Sequence, residues 1–425
     1  ALPIWELVGL ASYLCIGFWY QQAEAAKAST QAWLINKLGS FLLLVGLLLI
    51  KRELGSLSST TLSVITPATH YANRWLTVAG VCLLGAVFTK SAQFPFFSWL
   101  PSAMTAPTPA SALLHAATLV SAGIYLLTRL APVLNTALLT VVAFIGSITA
   151  VMGAYAALAQ QHIKRMLAYS TISQLGYMMM AIGVGASSAG LFHLINHAFF
   201  KACLFLCAGA ISYYLSQQGV KGAATQHMPK MGGLSRDIPW VFSAYLVASL
   251  ALVGVPGFSG FASKGAILAY TLSWAMEQAQ ASYYLSYLVP ILGFAAAMLT
   301  VGYISRSCWL VFMRAPQWKN PSALASSILA SSTIPFRMQL SILLLALCSL
   351  SLRYNPLSFN ANHNWLWQCL AATVDSPTTL SLGIQQAATT ISILTLVTGM
   401  LVWVRSLRPV GASLPRYCSS LTRLS

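Results

Sequence analysis

Seven ionisable residues lie inside stretches that are otherwise apolar: Glu6, Lys90, His115, His193, His197, Lys201 and Lys264. A charged side chain at the centre of a bilayer costs about 2.5–3.5 kcal/mol on insertion scales, so such residues are kept where they carry a task. His193, His197 and Lys201 follow one another at intervals of four residues. That spacing stacks them on one helix face, on consecutive turns about 6 Å apart. An imidazole accepts at one ring nitrogen and donates at the other, and a lysine ammonium is a compact donor that can give up a proton. The chemistry this row suits is a proton relay. Metal binding by His193 and His197 would need a further ligand, and no carboxylate or third ligand lies nearby in the sequence. Glu6 is the only acid in any apolar span. A carboxylate there needs a cation or its proton, and Lys90 is the expected partner if their helices adjoin.

Helices with breaks must position these groups. Residues 84–129 read LGAVFTKSAQFPFFSWLPSAMTAPTPASALLHAATLVSAGIYLLTR. An apolar run reaches Lys90, passes through Phe94-Pro95-Phe96, Pro101, Pro107 and Pro109, and resumes as a helix carrying His115. Proline frees backbone carbonyls that must find partners away from lipid. A second break falls at Val255-Pro256-Gly257-Phe258-Ser259-Gly260, followed by Lys264. Ionisable groups beside broken helices are a common arrangement for ion sites in transporters. Apolar windows of membrane-spanning length are read at about 2–20, 32–50, 75–104, 107–129, 134–158, 166–185, 189–215, 238–274, 285–313, 334–352 and 382–404. The expected fold is therefore an all-α polytopic membrane protein with about 11 transmembrane helices, two of them discontinuous. The two breaks fall five spans apart and so in opposite topology, which predicts an inverted repeat with two half-channels meeting mid-membrane.

Composition agrees. The 425 residues are 57% hydrophobic and 7% charged, against about 25% charged in soluble domains. The net charge of +17 reflects a scarcity of acids, only six in the chain, and not a basic block, so nothing points to nucleic acid. Eight cysteines are scattered without any Cys-x-x-Cys, and no Gly-x-Gly-x-x-Gly or Walker loop occurs. An iron–sulfur cluster or a bound nucleotide is not expected in this chain. Lys27, Lys164, Arg165, Lys221, Lys230 and Arg236 gather in loops of one face, with Arg314, Lys319 and the basic tail. Lys51, Arg52, Arg74, Arg129 and Arg353 gather on the other. The positive-inside rule puts the first face in the cytoplasm or matrix, the N-terminus outside and the C-terminus inside. His162, Lys164 and Arg165 read as topology signals in a short loop. Residues 315–333 and 353–381, with Trp365 and Trp367, read as loops, and no long lateral helix is evident there.

Four stretches carry a resemblance: KSAQFPFFSWLPSAMTAPTPASALLHAATLVSAGIYL, HIKRMLAYSTISQLGYM, HLINHAFFKACLF, and MGGL with a later GFSGFASK. In this order they resemble the largest antiporter-like subunit of respiratory complex I, chain 5 in mitochondria and subunit L in bacteria. WELVGLASYLCIGFWY is similar to that family's fifth helix. The likeness covers roughly residues 1–315. It implies an antiporter-like fold lacking the family's first four helices, and a proton-translocating subunit of NADH:quinone oxidoreductase. On it, Glu6 matches the glutamate of the fifth helix and Lys90 the lysine of the first broken helix. His115, His193, His197 and Lys201 match the central hydrophilic axis, and Lys264 the terminal lysine of the second broken helix. Gly265 and Ser40 stand where the family usually has Asp.

The resemblance further implies that the chain works as part of an H⁺-translocating NADH:ubiquinone reductase and holds no redox centre itself. FMN, iron–sulfur clusters and quinone would sit in partner subunits. The partners implied are other membrane subunits of complex I, above all a neighbouring antiporter-like subunit, together with lipids and without nucleic acid. The expected site is a mitochondrial inner membrane or a bacterial plasma membrane. Residues 1–133 form the expected first half, 134–314 the inverted second half, and 315–425 the C-terminal helices, loops and tail. Two other readings stay open: a Mrp-type Na⁺/H⁺ antiporter subunit and an ion-coupled inorganic carbon uptake subunit. Ser121 in ATLVSAG, where Mrp proteins usually have Lys, favours complex I.

Overall fold

The computed structural model describes residues 2–58, 74–318, 334–350, 369–370 and 381–406. Lys319, Arg353, Trp365, Trp367 and most of the basic tail lie outside them, as do most of the two expected loops. The elements are α1 (Leu2–Ile16), α2 (Ala23–Leu54), α3 (Arg74–Lys90), α4 (Thr108–Ala116), α5 (Leu119–Leu130), α6 (Thr136–Ala159) and α7 (Ile163–Gly183). They continue as α8 (Ser187–Gln217), α9 (Pro239–Val253), α10 (Ser259–Gln280), α11 (Leu288–Cys308), α12 (Phe336–Cys348) and α13 (Leu382–Ser406). Among the described residues there is no strand. Among the described residues, seven apolar segments are long enough to cross a membrane, and α9 and α12 are shorter apolar helices. The chain is an all-α polytopic membrane protein. Helix α2 starts well before the expected 32–50, because Ala23–Gln31 are good helix formers that hydropathy alone overlooks.

The centre of the bundle is α7, which packs against α5, α6, α8, α10 and α11. Every residue of α7 is buried except Arg165 and Tyr169. It also carries a run of polar residues, Ser170, Thr171, Ser173 and Gln174, at no exposure. Polar residues inside a membrane bundle are kept where they face protein. Small residues let α6 sit directly on α7. A Cβ on Gly146 would lie 2.5 Å from the Met180 amide nitrogen, and one on Gly176 2.6 Å from the Ala150 nitrogen. Close approach through small residues is the usual way that membrane helices gain dispersion contacts.

Both expected breaks are present. α3 stops at Lys90; irregular backbone follows, then one turn at Trp99–Ser102 and a tighter one at Ala103–Thr105. Partners elsewhere satisfy this backbone: the Phe94 amide donates to Thr149 Oγ1 at 3.2 Å, and the Trp99 indole donates to the Thr89 carbonyl at 3.0 Å. α9 ends at Gly254 with φ 88°, a conformation that suits glycine, and α10 begins at Ser259. A third interruption was not expected. The span read as one helix over 107–129 is divided between α4 and α5, with Thr118 at φ −115° and ψ −84°. Its hydroxyl takes the freed Leu113 carbonyl at 2.8 Å.

Candidate functional site

The sequence-derived residues fall into three clusters along the bundle. The first joins α1, α2 and α3. Glu6 forms an ion pair with Lys37, whose side chain is 45% exposed against 34% for Glu6. This corrects the expected Glu6–Lys90 pairing. The rotation of α1 turns Glu6 toward α2, while Lys90, 1% exposed, donates to the neighbouring Trp5 carbonyl at 3.2 Å. The Lys90 ammonium also lies 4.6 Å from the Trp5 ring centroid, a cation–π contact. Glu6 and Lys90 remain within electrostatic reach of each other without touching.

The second cluster lies where α4, α7 and α8 meet. His115 and His197 are fully buried, and neither ring has a hydrogen-bond partner among the described residues. His115 packs on Phe205 with ring centroids 5.0 Å apart, and His197 on Phe200 at 5.4 Å. His197 lies against the Ala116 carbonyl at the end of α4 without a well-formed hydrogen bond. The unexpected interruption thus opens next to a histidine. Lys201 donates to Ser170 Oγ, and to the Leu167 carbonyl at 3.3 Å, both on α7. Tyr303 of α11 turns its hydroxyl toward Ser170 and Thr300.

The third cluster joins α7, α8 and α10. His193 is held at both ring nitrogens: Nδ1 is 2.9 Å from Ser263 Oγ and Nε2 is 3.0 Å from Gln174 Oε1. Ser263 immediately precedes Lys264, whose ammonium donates to the Leu252 carbonyl at 3.2 Å, at the negative C-terminal end of α9. The Tyr177 ring centroid lies 5.1 Å from it. A cleft of about 10 Å³, the size of a single water, opens between Lys264 and Ser392 and Thr395 of α13. His193 and His197 have ring centroids 6.5 Å apart, as the four-residue spacing requires.

The second and third clusters are therefore continuous along α8. Among the described residues, no direct hydrogen bond joins Lys90 to His115. Gln174, Ser170, Ser263 and Tyr177 complete the site and were not singled out by sequence reasoning. For Gln174, Ser170 and Tyr177 the sequence signal is the density of hydroxyl and amide groups in α7, whereas Ser263, on α10, carries none. Lys164 is a further correction. It is 3% exposed rather than a loop charge, and donates to the Met104 carbonyl at 3.0 Å and the Ala106 carbonyl at 2.7 Å. Among the described residues no group of three or more His, Cys, Asp or Glu could hold a metal ion.

Outside the membrane-spanning segments, His162 and His227 meet edge to face with ring centroids 5.3 Å apart. Burial first, then the Arg165 charge and the His227 ring, hold His162 below the ordinary imidazole range. Burial and Lys230 do the same to His227.

Comparison with known proteins decides the family. The family described as "NADH:quinone oxidoreductase/Mrp antiporter, TM" matches residues 3–289. This chain belongs to that family. It is 44% identical over 315 residues to the chloroplastic NAD(P)H-quinone oxidoreductase subunit 5 of Glycine max, covering 72% of this chain and 40% of that protein. It is 41% identical over 355 residues to the NADH-ubiquinone oxidoreductase chain 5 of Metridium senile, covering 82% of this chain and 55% of that protein. The chain thus spans about half the length of these relatives. Among solved structures, a chain of the Mrp complex from Dietzia sp. superposes with a TM-score of 0.71 at 27% identity, covering all of this chain and 45% of that one. The antiporter-like fold expected from the sequence is thereby established.

Proposed function

We propose that this chain is a proton-translocating membrane subunit of a NADH:quinone oxidoreductase. Quinone reduction in partner subunits drives charge rearrangement along the buried Glu6, Lys90, His115, His193, His197, Lys201 and Lys264 series. The observation that carries this reading is the run of buried ionisable groups along α8, with Lys201 hydrogen-bonded to Ser170, His197 between them unpartnered among the described residues, and His193 hydrogen-bonded to Ser263, the residue before Lys264. It places proton donors and acceptors near one another across three helices, α7, α8 and α10. Names of relatives at 41–44% identity favour this reading over a Mrp-type Na⁺/H⁺ antiporter, whose likeness stands at 27%. In this reading the chain supplies no redox group, and FMN, iron–sulfur clusters and quinone belong to its partners.

Each residue has a task in this scheme. Lys201 hands its proton toward His197 when a charge arrives from the Lys90 side, and Ser170 orients its ammonium. His193, fixed by Gln174 and Ser263, passes the proton to Lys264. The small cleft toward Ser392 and Thr395 is the release route. The Glu6–Lys37 pair lines an open groove of about 390 Å³ between α1 and α2. An ion pair open to lipid is poorly solvated, so this face is the one that docks a neighbouring antiporter-like subunit. The loops rich in Lys and Arg, including Arg165 and Lys230, face the cytoplasm or matrix.

The test is Lys201→Ala in the assembled complex in inverted membrane vesicles. NADH-driven acidification is expected to collapse while a native gel still shows the intact complex. Undiminished acidification by an assembled variant would refute the relay.

A further inference from the structure

Among the described residues, Lys164 is the one buried lysine that the scheme above leaves idle. It stands in the first turn of α7, next to the loop at Gln160–His162, on the face rich in Lys and Arg. Among the described residues, no carboxylate forms an ion pair with Lys164. Its two acceptors are backbone carbonyls, Met104 and Ala106. The Ala106 oxygen is shared: the buried Ser111 hydroxyl reaches it at 3.4 Å and the Pro107 carbonyl at 3.3 Å. Ser111 and His115 are four residues apart on α4 and therefore on one face, one turn apart. Both nitrogens of His115 are buried and unpartnered, and the ring lies within electrostatic reach of Lys164 on one side and Lys201 on the other. His197, next along, is equally unpartnered. Two buried imidazoles without partners are costly unless something transient uses them.

We propose that Lys164 is a proton-uptake residue, loading the His115–His197–Lys201 cluster from the Lys- and Arg-rich face through the Ser111 hydroxyl. This rests on the proton-relay reading above. The Lys164 ammonium gives one proton to Ser111, which releases its own proton to a nitrogen of His115. The neutral amine then takes a proton from water at the loop face, and Ser111 is left as it began. The charged and titratable groups around Lys164 are Arg165 and His162 beside it in the chain, His115 from α4 and Lys201 from α8. None of these is an acid that would hold the ammonium permanently.

The competing role is a clamp. Lys164 ties α7 to the end of the irregular segment after α3, and a clamp needs only a donor of the right length. Three variants in the assembled complex separate the two roles. Lys164→Arg keeps positive charge and donors but cannot release a proton. It is expected to assemble and to lose pumping by about a hundredfold, at the low end of what a removed proton-transfer group costs. Lys164→His is expected to pump, with its pH optimum moved to the acid side, because an imidazole titrates about four units below an amine. Ser111→Ala removes one hydroxyl and leaves the clamp intact; pumping is expected to fall several-fold. Native pumping by Lys164→Arg, or by Ser111→Ala should the arginine variant not assemble, overturns the uptake route. Lys201→Ala is measured alongside. If it too pumps normally, the relay reading itself has failed; if it does not, only the uptake route is lost.

Discussion

The junction between His193 and Lys264 gives the sharpest quantitative expectation. Ser263→Ala removes the 2.9 Å contact to His193 Nδ1 and leaves that nitrogen buried without a partner. Losing such a hydrogen bond in a buried site costs about 1–3 kcal/mol. The ring remains held by Gln174 at Nε2 and is free to turn about that contact. The fraction of time it spends aimed at Lys264 then falls by about 5- to 150-fold. Ser263 otherwise donates within its own helix, to the Ser259 carbonyl at 3.2 Å, so alanine leaves α10 intact. The assay is the number of protons translocated per NADH oxidised, in vesicles holding the assembled complex. Ser263→Ala should lower that ratio at unchanged assembly, and Ser263→Thr, which restores a hydroxyl, should recover most of it. A ratio in Ser263→Ala equal to the native one would refute the argument, and so would a threonine variant no better than alanine.

Two further outcomes follow from geometry. Gly146→Leu drives a side chain into backbone, with its Cβ 2.5 Å from the Met180 nitrogen and 2.8 Å from the Gly176 oxygen. Neither neighbour can move aside, so the variant should fail to accumulate in the assembled complex on a native gel, whereas Gly383→Ala, in open space, should be neutral. The His162–His227 contact should loosen in acid. Both imidazoles are held below their ordinary value of about 6.5, so the folded junction prefers them neutral. Its contribution is complete above that value and is lost as pH falls through the lowered folded values. Hydrogen exchange at the Met228 amide, which donates to the Gln161 carbonyl at 2.9 Å, should lose protection in the window below about pH 6.5, after correction for intrinsic rate. Constant protection across that window would contradict the assignment.

Much of this was legible in the sequence, for physical reasons. Apolar length gave the helices, because hydrocarbon admits little else. Proline and glycine beside lysine gave the two main breaks, and the four-residue interval gave the His193–His197–Lys201 face. The third interruption was not legible: His115-Ala116-Ala117-Thr118-Leu119 holds neither proline nor glycine. The partner of Glu6 depended on how α1 is rotated, which periodicity cannot fix when most of that helix is apolar. Gln174, Ser170 and Ser263 reach the axis from other helices, and a lone hydroxyl or amide carries no signature of its target. Lys164 was misread because hydropathy places a lysine by its neighbours along the chain. Its burial comes from residues 58 and 60 positions away.

The irregular segment after α3 also bears on how the chain is made. Its backbone groups that lack a helical partner are satisfied by residues synthesised later: Phe94 by Thr149, and Met104 and Ala106 by Lys164. Met104 and Lys164 are 60 residues apart, which at ordinary elongation rates is roughly 3–12 s of synthesis. For that interval the ribosome has delivered an irregular stretch to the membrane whose free carbonyls at Met104 and Ala106 lack their Lys164 partner. The segment after α3 therefore reaches its final form only after α6 and the start of α7 have been made. A translational pause between residues 105 and 164 would expose the nascent chain to quality-control proteases at its most vulnerable stage.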